Sequence, residues 1–325
     1  MDKLRVSLVG LGHLGKIHLR LLSQNSSIEL LGVYDIDVDL AKAQALLYNI
    51  RCFENLSDLI SSSDAVFVIV PTLHHYSIGK DVLLGGCHLF IEKPVCSNVS
   101  ESRLLLDLLR NTSGLKCQVG HIERYNPSIL VSKNYDLHPK FIESHRMTEY
   151  RGRGIDVSVI HDLMIHDIDL ALWLVDSKIK QIDASGVAVI SNQIDLSNAR
   201  LKFENGAVAN LTASRLSATS MRKFRLFQQF CYMSLDLVSG AVEIFRLGKK
   251  EELEKNNSIA QMLGDIENTN NRIIYEKPEI LQHNAMAVQQ QSFIDCIIND
   301  SPPFCSLAEG TAALEVAEEI YRQVK

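Results

Sequence analysis

Short apolar runs alternate with helical patterns through the first third of the chain. A run that is apolar at every position, such as 65–70, is typical of a parallel strand covered on both faces. Strands with intervening helices predict one doubly wound Rossmann domain, an α/β fold, over residues 1–121. The predicted strands lie at 6–9, 30–34, 51–53, 65–70, 88–91 and 116–120, and helices lie at 38–47, 56–61, 78–84 and 99–109.

From residue 122 most of the predicted strands follow one another without helices between them. Asn205-Gly206 predicts a hairpin turn with positive φ at both residues. The polar segment 249–271 is expected to be a mobile excursion. Residues 122–325 therefore predict an α+β domain with a large, mainly antiparallel open sheet. Its strands are predicted at 141–150, 182–190, 199–203, 208–215, 224–230, 232–237 and 241–245, with helices at 159–174, 287–298 and 307–322.

The first predicted strand runs directly into a glycine-rich turn and then a helix. Gly10, Gly12 and Gly15 have the spacing G-x-G-x-x-G. In a dinucleotide site these glycines allow a tight turn, close backbone approach to the pyrophosphate and close helix packing. The helix N-terminus supplies free amides and a positive dipole end. The three glycines, with His13 and Leu14 between them, are predicted to bind the cofactor.

An acidic residue ends the second predicted strand. Asp35 follows the last glycine of the turn by 20 residues, the position from which a carboxylate binds the adenosine ribose. Such a carboxylate repels a 2′-phosphate, and the next residue is Ile36 rather than arginine. The sequence therefore favours NAD over NADP.

The tripeptide Glu92-Lys93-Pro94 lies at the carboxyl end of the fifth predicted strand. Ligands bind at this edge of a doubly wound sheet. A lysine there can donate a hydrogen bond to a substrate hydroxyl and stabilise the charge that develops as hydride leaves. A solvated lysine at a strand end is the structural alternative. Glu276-Lys277-Pro278 repeats the tripeptide after a strand predicted at 272–275, outside the Rossmann pattern, so only Lys93 is assigned a function.

The predicted helix 159–174 carries a second chemical group. Asp162 and His166 are four residues apart and would share one face of a regular helix. An imidazole exchanges protons near neutral pH, so His166 suits a general base and Asp162 suits orienting the substrate or the imidazole. A buried polar network is the structural alternative. A metal site fits poorly, because His161 and His166 are five residues apart and no H-E-x-x-H pattern is present.

Composition excludes several other classes of protein. The net charge is −6 without a long basic run, which argues against nucleic-acid binding. No apolar run reaches membrane-spanning length and no signal-peptide pattern is present, so a cytosolic protein without a membrane partner is expected. Seven cysteines without a C-x-x-C pair predict free, mostly buried thiols and no zinc.

The glycine turn, the Glu-Lys-Pro tripeptide and the Asp-His helix, in this order, resemble the glucose-fructose oxidoreductase, inositol dehydrogenase and rhizopine catabolism family over the whole chain. The resemblance implies nicotinamide-dependent oxidation or reduction of a sugar or cyclitol, and a C-terminal sheet that forms a homodimer or homotetramer. It implies that Lys93 is the catalytic lysine, His166 the proton-transferring histidine and Asp162 the substrate-binding aspartate. It further implies a cofactor lined by Pro71, Thr72, His75, Glu92 and Lys93.

Segments 120–127 and 156–162 resemble the branch of this family that acts on UDP-N-acetylglucosamine at the sugar 3-hydroxyl. Bidentate arginines suit a diphosphate, and several arginines, Arg151 among them, lie in segments that can face the ligand crevice. Ordinary surface charge is the alternative for each arginine. The predicted substrate-binding residues are Arg124, Tyr125, Arg153 and Arg215.

The expected reaction is hydride transfer from a secondary hydroxyl of a sugar, most simply a nucleotide sugar, to NAD⁺. His166 would remove the hydroxyl proton and Lys93 would polarise the oxygen. An inositol or simple-sugar dehydrogenase would use the same two residues and stays open as an alternative. A non-catalytic NAD-binding regulator also stays open, although a sensor has no need of a general base.

Overall fold

A computed structural model describes residues 3–150, 157–248, 259–265 and 272–325. The chain divides into two compact units. The first unit comprises Met1–Ile122 and Asn284–Glu315, and the second comprises Glu123–His283 and Val316–Lys325. Among the helices in the described ranges, none combines the length and the apolar character that a membrane crossing requires.

The sheet of the first unit has six strands in the described residues, ordered β3-β2-β1-β4-β5-β6. All neighbouring strands pair in parallel. This is the strand order of a dinucleotide-binding Rossmann domain, with its ligand crevice where the order reverses beside β1. The predicted doubly wound fold is confirmed. The strands are β1 (Leu4–Val9), β2 (Ile28–Tyr34), β3 (Arg51–Cys52), β4 (Ala65–Val68), β5 (His88–Glu92) and β6 (Cys117–Gly120).

Helices connect these strands and begin at side-chain caps. The Asn55 and Asn98 side chains accept from the amides of Asp58 and Glu101, both at 2.9 Å, so both predicted helix starts are confirmed. The fourth helix begins earlier than predicted, after a short 3₁₀ turn at Thr72–His74. The helices are α1 (His13–Ser23), α2 (Val38–Tyr48), α3 (Leu56–Ser62), α4 (His75–Leu84) and α5 (Val99–Arg110).

The second unit is built on a nine-stranded sheet within the part of the chain that the structure describes, ordered β14-β15-β13-β12-β11-β7-β10-β9-β8. β7 and β10 pair in parallel, and the other neighbours pair antiparallel. The predicted mainly antiparallel sheet is confirmed. The strands are β7 (Phe141–Glu149), β8 (Ile179–Val187), β9 (Leu196–Phe203), β10 (Val208–Ser217), β11 (Met221–Gln228), β12 (Cys231–Asp236), β13 (Ala241–Gly248), β14 (Ile259–Asp265) and β15 (Arg272–Lys277).

Two local predictions in this unit are wrong. The segment 249–271 contains β14, which pairs with β15; residues 249–258 and 266–271 lie outside the described residues. In the hairpin between β9 and β10, Gly206 has φ 84 but Asn205 is not in the left-handed region. The Phe203 amide donates to the Ala207 carbonyl at 2.9 Å, which makes a three-residue loop in which only the last residue needs positive φ.

Helices α6 (Pro127–Ser132) and α7 (Ile165–Val175) belong to the second unit, whereas α8 (Ala285–Ile298) and the start of α9 (Leu307–Val324) belong to the first. The predicted boundary after residue 121 assigned both C-terminal helices to the second domain, and the structure corrects it. Phe293 of α8 packs edge-on to Phe67 and Phe90, with ring centroids 5.5 and 5.8 Å apart. The Val119 amide also donates to the Cys305 carbonyl at 2.9 Å. These contacts join residues far apart in sequence, which periodicity does not reveal.

The seven cysteines are free thiols and five of them are buried, as the sequence predicted. Burial raises the pKa of the Cys87 and Cys296 thiols to about 11. Because the thiolate is the reactive form, these two residues are expected to be inert near neutral pH.

Candidate active site

Two of the glycines in the first turn are required by the protein itself. Gly10 has φ 95, and a Cβ atom there would lie 2.3 Å from the Ile69 carbonyl oxygen. A Cβ atom on Gly15 would lie 2.0 Å from the carbonyl oxygen of Gly10. No side chain fits at either distance, so both glycines hold the turn and the first helix against the sheet.

Gly12 is different, because nothing in the described residues requires it to be glycine. Its φ is −59, and a Cβ atom there would have no described neighbour within 4 Å. Gly12 caps α1, and His13 and Leu14 in its first turn are exposed. The first amides of α1 therefore border open space, where a phosphate group can approach the helix N-terminus. This cradle fits the pyrophosphate of a dinucleotide.

The two kinds of glycine predict different effects of substitution. Gly12→Ala is expected to fold normally and to weaken NAD⁺ binding about 10- to 100-fold, since a lost hydrogen bond to a charged group costs roughly 1.5–3 kcal/mol. Gly15→Ala should lower the free energy of unfolding by about 1–3 kcal/mol through steric overlap. Thermal denaturation and calorimetric titration with NAD⁺ measure the two effects. A Gly12→Ala protein as unstable as Gly15→Ala would contradict the cradle.

Asp35 lies beside the glycine turn. Its Oδ2 accepts from the Leu11 amide at 2.5 Å, and its Oδ1 accepts from the Asp37 amide at 2.9 Å. The half-buried carboxylate is therefore held at the carboxyl end of β2, next to the cradle. Ile36 is 87% exposed and brings no positive charge to this edge. The structure thus brings Asp35 and the glycine turn together, and the contact of Asp35 with a ribose stays a prediction.

The segment after β4 departs in part from its predicted role. Pro71 is exposed and Thr72 half-buried, but His75 is only 1% exposed. Its Nδ1 lies 2.8 Å from the Pro94 carbonyl oxygen and its Nε2 lies 2.9 Å from that of Val70. Burial lowers the pKa of His75, although these carbonyls act in the opposite direction. His75 therefore links two backbone turns instead of lining the cofactor, which corrects the prediction.

The Glu-Lys-Pro tripeptide follows the end of β5. Glu92 is buried, and its Oε2 accepts from the Lys93 amide at 3.2 Å. The side chain of Lys93 is half-buried, and the Lys93–Pro94 peptide bond is cis. Lys277 of the second tripeptide is exposed at the end of β15. Lys93 thus lies at the ligand edge of a parallel sheet and Lys277 does not.

The segment that carries Asp162 and His166 begins as a π-helical turn, Ile160–Met164, and continues as α7. The prediction of one regular helix is therefore wrong over its first turn, because the π turn is wider than an α turn. The shared face inferred from a spacing of four stays a prediction. Both side chains are half-buried. Single π turns occur frequently at functional sites.

Two buried ion pairs hold α7 next to His166. The Arg146 Nε and Nη2 atoms lie 2.7 and 2.9 Å from the Asp167 carboxylate oxygens. The Arg124 Nε and Nη2 atoms lie 2.8 and 2.7 Å from those of Asp169. All four side chains are at most 2% exposed. The carboxylates one and three residues after His166 are therefore clamped by planar, bidentate guanidinium groups.

The charged cluster extends to Glu123, which sequence reasoning missed. Its Oε1 lies 2.7 Å from Nη1 of Arg146 and 3.1 Å from Nη1 of Arg222. Burial alone would raise the pKa of Glu123, but the two arginines outweigh it and leave that pKa lowered. One signal in the sequence was available. Arg146 follows Ile142 and Ser144 at every second position of β7, on its buried face, and a buried arginine requires an acidic partner.

The predicted substrate-binding arginines are corrected. Arg124 is buried against Asp169, and Arg215 is buried with its Nε 3.5 Å from Asp195 and a hydrogen bond to the Val157 carbonyl. Tyr125 is also buried, at 2% exposed. The two arginine side chains pair with buried carboxylates of the second unit instead of presenting charge to a diphosphate. The other predicted residue, Arg153, lies with Arg151 outside the described residues.

Because Arg124 is buried in an ion pair, its substitution is predicted to lower the stability of the protein. Arg124→Met is expected to lower the free energy of unfolding by about 3–5 kcal/mol, because it leaves the Asp169 carboxylate buried without its partner. The double variant Arg124→Met with Asp169→Leu should regain much of that loss. Denaturant unfolding measures all three proteins. Wild-type stability of the single variant, with a raised KM for the sugar substrate, would instead restore Arg124 as a substrate ligand.

The first unit by itself defines the class of protein. A Rossmann sheet whose glycine turn borders open space at a helix N-terminus, with a carboxylate beside it, is the architecture of dinucleotide-dependent enzymes. Comparison with known families makes this specific. Residues 4–121 match the model described as "Oxidoreductase family, NAD-binding Rossmann fold", and residues 134–229 match the "GFO/IDH/MocA C-terminal domain".

The two matches belong to one family and together include about two thirds of the chain. The protein belongs to the GFO/IDH/MocA oxidoreductase family, which confirms the resemblance found in the sequence. It is accordingly an oxidoreductase with an NAD-binding Rossmann fold.

Individual relatives extend the similarity over the whole chain. The chain is 29% identical to UDP-N-acetylglucosamine 3-dehydrogenase from Acidithiobacillus ferrooxidans, over 98% of this chain and 97% of that one. A solved structure of that enzyme superposes with a TM-score of 0.88 and 28% identity, covering 100% and 98% of the two chains. Inositol 2-dehydrogenase from Cereibacter sphaeroides is 27% identical over 54% of this chain and 55% of its own length.

Proposed function

We propose that this protein oxidises the 3-hydroxyl of UDP-N-acetylglucosamine to the 3-oxo sugar, with NAD⁺ as hydride acceptor. The observation that supports this substrate is how much of the chain aligns with a protein of known activity. The match to UDP-N-acetylglucosamine 3-dehydrogenase runs over 98% of the chain, whereas the match to inositol 2-dehydrogenase runs over 54%. The first alignment therefore includes nearly all of both units, whereas the second includes about half of the chain.

In the proposed reaction, removal of the hydroxyl proton and stabilisation of the substrate oxygen are each assigned to one residue. His166 takes the hydroxyl proton as general base. Lys93 donates a hydrogen bond to the same oxygen and stabilises the negative charge that develops on it. Asp162 orients the sugar ring. A bound NAD⁺ would accept the hydride from the carbinol carbon, and His166 would carry the hydroxyl proton away, so that the carbinol becomes a ketone.

Several features of the first unit support NAD⁺ over NADP⁺ in this proposal. The Asp35 carboxylate is held beside the glycine turn, where it can accept from ribose hydroxyls and repel a 2′-phosphate. Asp37 and Asp39 add negative charge in the residues that follow. Ile36 and Leu73 are exposed after β2 and β4, where apolar side chains suit the faces of an adenine ring.

An inositol or simple-sugar dehydrogenase is the second candidate, and one observation favours it. The diphosphate of a nucleotide sugar calls for exposed positive charge, yet Arg124 and Arg215 are buried in ion pairs. A neutral sugar needs no such charge. The same catalytic pair would then act on a different secondary hydroxyl.

The experiment that decides is a substrate comparison with purified protein. NADH absorbance is followed with NAD⁺ or NADP⁺ and, separately, UDP-N-acetylglucosamine, free N-acetylglucosamine, myo-inositol and glucose, with hydrazine present to trap the ketone. NADH formation with the nucleotide sugar and not with free N-acetylglucosamine would support the proposal. Turnover of an inositol or hexose alone would replace it with the second candidate.

We also propose that the protein is a homo-oligomer that assembles through the open face of its second sheet. Five aromatic side chains pair across neighbouring strands on the face opposite the core, with ring centroids 4.7 to 5.8 Å apart. Phe227 in this row is 37% exposed. Contiguous exposed aromatic surface is typical of protein interfaces. The row consists of Phe141, Phe227, Tyr232, Phe245 and Tyr275.

Light scattering after size-exclusion chromatography tests the oligomer. The double variant Phe227→Glu with Tyr232→Glu is expected to shift the mass from that of an oligomer to 36.4 kDa, because it places charge at the centre of the row. Leu84→Glu, at a position of α4 that is 63% exposed, serves as the control and should keep the wild-type mass. A wild-type mass of one chain would refute the proposal.

A further inference from the structure

A buried histidine connects the helix after the glycine turn to the lysine tripeptide. His18 lies on α1, three residues after Gly15, and is 0% exposed. Its ring packs beside the stacked rings of Phe67 and Phe90, with centroids 6.3 and 5.6 Å away. Its Nε2 is 3.1 Å from Oε1 of Glu92.

The hydrogen bonds on the other side of the His18 ring determine which ring nitrogen carries the proton. Nε2 of Gln290 lies 2.9 Å from His18 Nδ1 and 3.2 Å from the His18 carbonyl oxygen. A carbonyl oxygen only accepts, so the amide nitrogen of Gln290 faces His18 and donates to both atoms. Nδ1 is then an acceptor, and the ring is the neutral tautomer whose Nε2–H donates to Glu92.

The Glu92 carboxylate is consequently held from three sides. His18 donates to Oε1, and the Lys93 amide donates to Oε2 at 3.2 Å. On the third side lies Gly120, where a Cβ atom would be 2.6 Å from the carboxylate. A buried carboxylate requires hydrogen-bond donors, and His18 is the side chain on α1 that provides one. The carboxylate in turn caps the backbone at the residue proposed to polarise the substrate oxygen.

We propose that His18 is a positioning residue for the reaction. It holds the Glu92 carboxylate through Nε2–H and so orients the turn that carries Lys93. The inference rests on the function proposed for Lys93. An ordered lysine turn is pre-organised toward the substrate oxygen, and small displacements of such groups cost about 10²-fold in rate. His18 itself touches neither substrate nor cofactor in this proposal.

Three variants and a packing control separate positioning from general stability. His18→Leu removes the donor to Glu92, and His18→Gln keeps an amide donor near the position of Nε2. Gln290→Met removes the hydrogen bond to Nδ1 that favours the Nε2–H tautomer of His18. Phe293→Leu weakens the same aromatic cluster without touching Glu92 and controls for lost packing. Thermal denaturation reports the stability of each protein.

His18→Leu is expected to lower kcat about 10²-fold with little change in KM, His18→Gln to recover most of the loss, and Gln290→Met to lose an intermediate amount. Phe293→Leu should lose stability but keep its kcat. A kcat for His18→Leu close to wild type, or a loss that only follows thermal stability across all four proteins, would overturn the proposal. If His18→Leu does not fold, Gln290→Met against Phe293→Leu decides.

A second measurement needs no substrate. Dilute acetic anhydride labels lysines in proportion to their accessibility, and peptide mass spectrometry gives the ratio of labelling at Lys93 to that at exposed Lys277. We expect His18→Leu to raise this ratio severalfold and His18→Gln to restore it; an unchanged ratio overturns the proposal. If the wild-type protein oxidises no sugar, the proposed function has failed, and the labelling ratio alone decides the role of His18.

Discussion

Replacing Lys93 with alanine is expected to lower kcat about 10²- to 10³-fold, the usual effect of removing a donor aimed at a developing negative charge. The loss should appear in kcat and in kcat/KM alike, because the hydrogen bond strengthens only as charge develops on the substrate oxygen. Binding of NAD⁺ should stay close to wild type, since the cradle at Gly12 and the carboxylate of Asp35 are unchanged. Steady-state kinetics and calorimetric titration measure the two effects.

The chain contains its own control for this substitution. Lys277 occupies the same Glu-Lys-Pro tripeptide, also directly after a strand, but it is exposed at the end of β15 in the antiparallel sheet. Lys277→Ala is therefore expected to keep wild-type kcat and wild-type stability. Equal losses from the two substitutions would show that the tripeptide, and not its place at the edge of the parallel sheet, matters.

His166→Asn is expected to lower kcat about 10²- to 10⁴-fold, which is the usual contribution of a general base. Asparagine preserves size and polarity but does not take up the hydroxyl proton. The neighbouring carboxylates of Asp167 and Asp169 keep their arginine partners in this variant, so α7 should remain in place. Steady-state kinetics should show the reduced turnover, and fluorescence titration should show unchanged NADH binding. Wild-type turnover would remove His166 from the mechanism.

His161 supplies the matched control for His166. It lies five residues earlier, with Nδ1 3.1 Å from Oγ of Ser158 and Nε2 3.1 Å from Oε1 of Glu318 in α9. Burial lowers its pKa, and Glu318 acts in the opposite direction. His161 thus ties the π turn to the last helix, and His161→Asn should reduce thermal stability without a selective loss of kcat. A kcat loss as large as that of His166→Asn would make the proton acceptor ambiguous.

The Rossmann unit was predictable because its signals are local. Continuous apolar strands, asparagine caps at Asn55 and Asn98, and the spacing of three glycines each act through residues adjacent in sequence. The antiparallel character of the second sheet was predictable for a related reason, since consecutive strands without helices leave room only for hairpin-like connections.

The candidate site residues could be proposed from residue type, but their environment could not be predicted from the sequence. Lys93 and His166 were proposed as site residues because their neighbours form motifs, whereas Arg124 was proposed as a substrate ligand because its positive charge suggested an anion. In the folded chain that charge is buried against Asp169. Likewise, the spacing of Asp162 and His166 assumed a regular helix, and the π turn at Ile160–Met164 was not visible in the apolar pattern.

The sequence by itself determined the two kinds of sheet, the glycine turn and the identity of the candidate chemical groups, because backbone propensity and short-range spacing encode them. Only the tertiary structure decided which charges are buried, how α8 completes the first unit, and that His18 meets Glu92. These outcomes depend on partners up to 272 residues apart, as between His18 and Gln290. Burying a charge or a polar ring is favourable only where such partners supply hydrogen bonds, and that supply is set by the packing of the whole unit.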